Sequence, residues 1–213
     1  MLLLLMPLCV PASAVVSYRI TAQNARVDVL VWKRGLLAGF GHDHVISAGV
    51  IQGSLLFDKK RPSRSRFELS VPVSALRIDT PAARQRFRRY FPKPIDQRSR
   101  QATRANMLKK IFATGRFPRI IVRSSAITGI GPDYQVHLQV RLNGVERTLV
   151  SRIVLDNTAG VLSASGHLKL DLAAFGIKPV SAVFGTIKIK RHVDIYFSYS
   201  QRLDRPPGTS AGR

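Results

Sequence analysis

Along most of the chain the hydrophobic residues recur at every second position, the spacing that gives a β-strand one dry and one wet face. The stretch YQVHLQVRL, 134 to 142, sets Tyr134, Val136, Leu138, Val140 and Leu142 against Gln135, His137, Gln139 and Arg141. FELSVPV repeats the pattern with Phe67, Leu69, Val71 and Val73. It returns in RVDVLVW, VIQGSLLFD, PRIIVRSSAI, VERTLVSRIVLD, VLSASGHLKL and GTIKIKRHVDIYFSYS, the last placing Ile187, Ile189, Val193, Ile195, Phe197 and Tyr199 on one face. The pattern predicts about eight strands, enough to close a barrel around one small ligand. Turn chemistry at 129–133, at Asn143-Gly144 and at 156–160 fits hairpins between them.

Residues 81–112 break this period. The segment PAARQRFRRYFPKPIDQRSRQATRANMLKKIF has no alternation, is rich in Arg, Gln and Ala, and predicts two helical pieces interrupted at Pro92-Lys93-Pro94. In the second piece Ala105, Leu108, Ile111 and Phe112 fall at helical spacing, which would let a helix cap a sheet or a barrel mouth. No internal repeat of 20 to 50 residues is present.

The first fourteen residues add a compartment to this picture. An apolar run ends in Ala12-Ser13-Ala14, the small-residue pattern of a secretory cleavage site, and it is too short to span a bilayer. No Lys or Arg precedes Arg19, so the positive n-region is missing and the true start is expected upstream of Met1. Cleavage after Ala14 would remove Cys9, the one cysteine, and leave neither disulfide nor thiol nucleophile. The expected organisation is a signal peptide at 1–14, one domain over 15–203 with a basic helical insertion at about 81–112, and a disordered tail at 204–213.

Charge narrows the partners. The chain carries 34 Lys and Arg against 12 Asp and Glu, a formal charge of +22, so it attracts polyanions, anionic lipid headgroups or phosphorylated small molecules. The imbalance peaks at 81–112, where Asp96 is the single acid among ten basic residues, Arg104 among them. Phe87, Tyr90 and Phe91 interleave with that run and would also suit single-stranded nucleic acid, but an exported protein does not meet it, and no helix-turn-helix or zinc-finger signature is present.

GFGHDHVISAG, 39 to 49, holds the main candidate chemistry. On a strand His42 and His44 would share a face, a usable two-ligand spacing for zinc or copper, with a third ligand needed from His137, His167, His192 or a carboxylate. The competing reading is that Gly39, Gly41 and Gly49 shape a turn or bulge while Asp43 or the imidazoles bond local backbone. No C-x-x-C or H-E-x-x-H supports a metal, and none is expected as the first reading. Catalytic signatures are missing too: there is no G-x-S-x-G and paired carboxylates are scarce, so the chain reads as a non-enzyme.

Several ordered motifs together resemble the YceI-like family of secreted lipid-binding proteins. They are YRI followed by ARVDVLVW, GSLLFD at 53–58, VPVSALRIDT at 71–80, RANMLKKIFATGRFPRIIVRSS at 104–125, LNGVERTL at 142–149 and LDLAAFGI at 170–177. The resemblance runs from about Tyr18 to Leu203. Three features depart from it: the KRGLLAGFGHDHVISAG segment, similar to a histidine-containing subset of the family; the longer and more basic stretch from Thr80 to Arg104; and a strongly positive charge where the family is often acidic to neutral.

The resemblance implies an all-β fold, an extended antiparallel lipocalin-like barrel with one or two short capping helices, whose apolar lumen holds an isoprenoid chain such as a polyprenyl phosphate or a quinone. The alternating strands support this independently, since a continuous dry face must point inward and each buried methylene gains about 0.8 kcal/mol. The expected lumen residues are Trp32, Leu108, Phe112, Phe117, Leu138, Val140, Val193, Ile195 and Phe197, with His42, His44 and Arg104 at the headgroup. The expected function is a periplasmic or secreted lipid carrier with no cofactor besides its lipid and with an anionic membrane surface as a further partner. Whether the chain pairs as a homodimer is left open. The alternatives are a metal- or haem-associated redox accessory using His42 and His44, and a polyanion or nucleic-acid binder.

Overall fold

The computed structural model describes residues 15–35, 41–112, 114–178, 181–182 and 187–203. The expected signal segment, the tail at 204–213 and Gly39 lie outside them.

Eleven strands form one antiparallel sheet. In chain order the strands are β1 (Val15–Thr21), β2 (Ala25–Val31), β3 (Lys33–Arg34), β4 (His44–Ala48), β5 (Gln52–Asp58), β6 (Arg66–Pro72), β7 (Leu76–Ile78), β8 (Arg119–Ile130), β9 (Asp133–Leu142), β10 (Val145–Thr158), β11 (Val161–Asp171), β12 (Ser181–Ala182), β13 (Ile187–Ile189) and β14 (His192–Arg202). The large sheet runs β1-β5-β6-β8-β9-β10-β11-β14-β2-β4-β7, and a small one runs β12-β13-β3. About eight strands were expected; the extra ones are β1, where only Tyr18 and Ile20 alternate inward, and segments of two to five residues, too short to raise a period-two signal. The predicted strand over GTIKIKRHVDIYFSYS divides at Lys190-Arg191 into β13, which joins the small sheet, and β14, which stays in the large one.

Alternation governs the long strands. β9 buries Tyr134, Val136, Leu138, Val140 and Leu142, while the residues between them are exposed or half-buried. Its hairpin to β10 turns at Asn143-Gly144, both at positive φ (50° and 78°), the conformation a two-residue type I′ turn requires.

The sheet curls into a lipocalin-like half-barrel. Ile20 on β1 at one edge and Ile78 on β7 at the other belong to one cluster with Val71, Leu76 and Met107, which a flat sheet would hold far apart.

Among the described residues two α-helices complete the architecture. α1 (Pro81–Arg86) starts at Thr80, whose side chain accepts from the Ala83 amide, with Pro81 in the first turn. It lies on the outer wall, where Ala83 and Phe91 pack on Leu30 and Val45. α2 (Gln97–Lys110) is capped by Asp96, which accepts from the Ser99 amide. It spans the end of the barrel: Arg104 donates to the carbonyls of Ser74 and Leu76 on one side, and Asn143 Nδ2 donates to the Ile111 carbonyl on the other. The two helices fall on either side of Pro92-Lys93-Pro94, as the sequence predicts.

Candidate ligand-binding site

The curled sheet encloses a cavity of about 660 Å3 whose wall is overwhelmingly aliphatic and aromatic. Among the expected lumen residues, Phe112, Leu138, Val140, Val193, Ile195 and Phe197 line it. Three others do not. Trp32 has the parity of Leu30, opposite to the inward Val27, Val29 and Val31, so its ring lies outside the wall, stacked on Phe91 at 5.0 Å with Nε1 donating to Asp194. Leu108 follows the buried Met107, and one helical step of about 100° turns it away from the cavity, which Met107 lines instead. Phe117 covers Gly144, where an added Cβ would come within 2.4 Å of its ring. Ala105, expected on the packing face of α2, is exposed.

Polar groups gather at the end covered by α2. Register brings them there: β2 pairs with β4 through Val31 and His44, and β3 pairs with β13 through Lys33 and Ile189. Lys33, His42, His44 and Lys188 line the cavity, and α2 adds Thr103 and Asn106. Among the described residues no acidic side chain lines it. Arg104, expected at the headgroup, is spent on the backbone carbonyls it clamps.

The turn that carries the histidines is held from below. Asp43 Oδ1 accepts from the Lys33 amide at 2.7 Å, and Lys33 Nζ donates to the Gly41 carbonyl at 2.8 Å. Asp43 is thereby a turn former, as the backbone-bonding reading expects. His44 donates through Nδ1 to Asp79 Oδ2 at 2.6 Å. Asp79, fully buried, also accepts from the Val45 amide at 2.9 Å and from Arg84 at 2.8 Å. Burial works against its charge, but the His44, Val45 and Arg84 donors outweigh it and hold the carboxyl below its usual range. His44 is therefore fixed with Nδ1 occupied and the opposite edge of its ring free for a ligand.

The rings of His42 and His44 lie 6.3 Å apart, and among the described residues no three His, Cys, Asp or Glu side chains gather as a metal site would need. Asp79, which organises His44, carries no mark in the sequence beyond its place before the Thr80-Pro81 helix start.

The basic run divides into structural and free charges. Arg84 pairs with Asp79, Arg86 with Asp28, and Arg104 clamps α2. Arg88, Arg89, Lys93, Arg98, Arg100, Lys109 and Lys110 have no ion pair among the described residues. Arg98, Arg100, Lys109 and Lys110 lie on α2, which covers the polar end of the cavity, and Arg88, Arg89 and Lys93 lie in the segment that joins α1 to it.

A curled antiparallel sheet around an apolar cavity, closed at one end by a helix, defines a lipocalin-like protein. The family model of the YceI-like domain matches residues 18–200, and the chain belongs to that family. Its solved neighbours share the fold at low identity. Burkholderia cenocepacia BcnA is 13% identical with a TM-score of 0.60, over 83% of this chain and 96% of that one. A polyisoprenoid binding domain from Saccharophagus degradans, implicated in plant cell wall breakdown, is 9% identical with a TM-score of 0.57, over 89% and 99%. A Campylobacter jejuni YCEI protein is 8% identical with a TM-score of 0.52, over 73% and 82%. Comparison with the curated proteins gave no match.

Proposed function

We propose that this protein is a non-enzymatic carrier of a single-chain isoprenoid lipid, a polyprenyl phosphate or a quinone, working in the periplasm or outside the cell. The observation that carries the reading is the open apolar cavity: a packed barrel would fill it with its own side chains, whereas here about 660 Å3 is left for a ligand. Each methylene-sized group of a tail transferred there from water gains about 0.8 kcal/mol, so a long tail binds without chemistry. The polyisoprenoid-binding neighbour supports the choice of tail, and the signal-like start supports the compartment.

In this reading Lys33, His42, His44 and Lys188 meet the headgroup, and the free cations of α2 and of the segment before it rest on an anionic membrane from which the lipid is taken.

The test is mass spectrometry of an organic extract from protein purified out of its native compartment, beside His42→Ala/His44→Ala. The expected result is an isoprenoid at near one per chain, with the double variant retaining less of it. An extract free of lipid from folded protein would sink the proposal.

A further inference from the structure

A second concavity lies on the opposite, outer face of the same sheet, across β10, β11, β14 and β2 beneath the rim of α1. Its volume of about 590 Å3 falls in the range of small-ligand sites. Register sets Arg152, His167, Tyr196 and Asp28 in one row across the four strands and Val154, Ser165, Ser198 and Arg26 in the next. Ile195, which alternates with Tyr196, lines the lipid cavity alone, whereas Arg26, Phe197 and Ser198 border both concavities, which share this stretch of sheet as a common wall.

The groove sets oxyanion donors beside a cluster of rings. Arg26 and Arg152 are exposed, and among the described residues neither guanidinium makes an ion pair or hydrogen bond; the Ser165 and Ser198 hydroxyls are likewise free. A third guanidinium, Arg86, is fixed on Asp28 by contacts of 3.0 to 3.2 Å. Asp28 is 2% exposed and also accepts from Ser47 Oγ, so its charge is compensated inside the wall and does not repel an anion. The rings form one cluster: His167 stacks on Tyr196 at 4.5 Å, and the Phe87 ring is tilted against Tyr196 at 5.3 Å, leaving their outer edges and faces for a ligand ring.

We propose that this groove is a second binding site, for a phosphomonoester carried on a flat ring and of nucleotide size. Guanidinium forks and hydroxyls match the geometry and charge of a phosphate, and a ring gains by lying against the ring cluster. Inorganic phosphate leaves the rings unused, and an uncharged ring leaves Arg26 and Arg152 unpaired, so a ligand needs both halves.

Isothermal titration with adenosine monophosphate at physiological salt tests it, with adenosine and inorganic phosphate as the separate halves. Expected is saturable one-to-one binding, with each half weaker by about tenfold or more. Arg26→Ala/Arg152→Ala removes two exposed side chains and should weaken binding by at least about tenfold. Lys59→Ala/Lys60→Ala, the same charge change on the loop after β5, should leave it unchanged. Failure to saturate by about 5 mM overturns the proposal. Equal loss in both double variants does so as well, since it would mark diffuse attraction to a +22 protein.

Discussion

Asp79 sits at φ 47°, a left-handed conformation that Asn and Asp adopt more readily than other side chains, and there it binds His44, Val45 and Arg84 together. Asp79→Asn keeps the conformation and removes the charge, leaving the largely buried Arg84 without its counter-ion. Breaking a buried pair costs about 3 kcal/mol, and at this chain length that lowers Tm by on the order of 10 °C. The sign of the pH effect follows from the direction of the shift. A carboxyl held below its unfolded value stabilises the fold above about pH 4, and that contribution disappears as pH falls through the folded pKa. Asp171, held at about 2 by Arg191, adds a small, solvent-screened term with the same sign. Melting curves from pH 7 to pH 2 should show a steep acid limb in the wild type and a shallower one in Asp79→Asn. Ala159 is the opposite case, an alanine at φ 53° before Gly160 in the β10–β11 turn, whose methyl side chain can form no hydrogen bond to offset the strain. Ala159→Asn should raise stability by about 1 kcal/mol, read as a higher urea midpoint at unchanged m. Neither residue could be singled out in the sequence, because the role of Asp79 depends on a contact with His44 35 residues away and that of Ala159 on a backbone angle.

Whether an element was legible depended on its length and on whether one partner explains its pattern. β9, β10, β11 and β14 have ten or more residues each, and their alternation names the inward face directly. β4 and β7 have five and three residues; their pairing with β2 and with each other, not their composition, makes them strands. Trp32 shows how a correct pattern still misleads: the alternation of RVDVLVW is real, but its last three residues are dry on both faces, Val31 toward the cavity with Val27 and Val29, and Leu30 and Trp32 toward Phe91 near α1. α2 was legible as a helix, whereas its docking face was not, because that face is a single buried Met107 in an otherwise polar helix. α2 is thus held by one buried side chain together with the Arg104 and Asn143 hydrogen bonds. Met107→Ala should cost about 2 kcal/mol, the low end for a buried methionine because its side chain borders the open cavity. Hydrogen exchange should then quicken across Gln97–Lys110 before it quickens in β9, while an intact core would keep the strands protected.

At the scale of the whole molecule the charge is distributed by function of place. Most acids whose contacts are described pair with a nearby arginine or bond the local backbone, so the excess of cations is left over wherever acids are lacking, and the densest such region is the cap over the cavity's polar end. A basic segment near an anionic bilayer gains about 1 kcal/mol per Lys or Arg, and the field reaches only about 8 Å at physiological salt. Docking by this cap would therefore point the polar end of the cavity toward the membrane, whereas docking by any other face would not. Co-sedimentation with vesicles of phosphatidylglycerol and phosphatidylcholine should be strong at low salt, should fall steeply by about 0.5 M where the screening length is below about 5 Å, and should be negligible with phosphatidylcholine alone. Arg98→Ala/Arg100→Ala/Lys109→Ala/Lys110→Ala removes four of the seven free charges and should cut vesicle affinity by about a hundredfold or more, even with most of the per-residue gain discounted. Four substitutions of exposed cations at the opposite end of the barrel, Lys59, Lys60, Arg64 and Arg66 on the β5–β6 hairpin, lower net charge equally. If those weaken vesicle binding as much as the cap variant does, attraction is a property of the total charge and the cap has no privileged orientation.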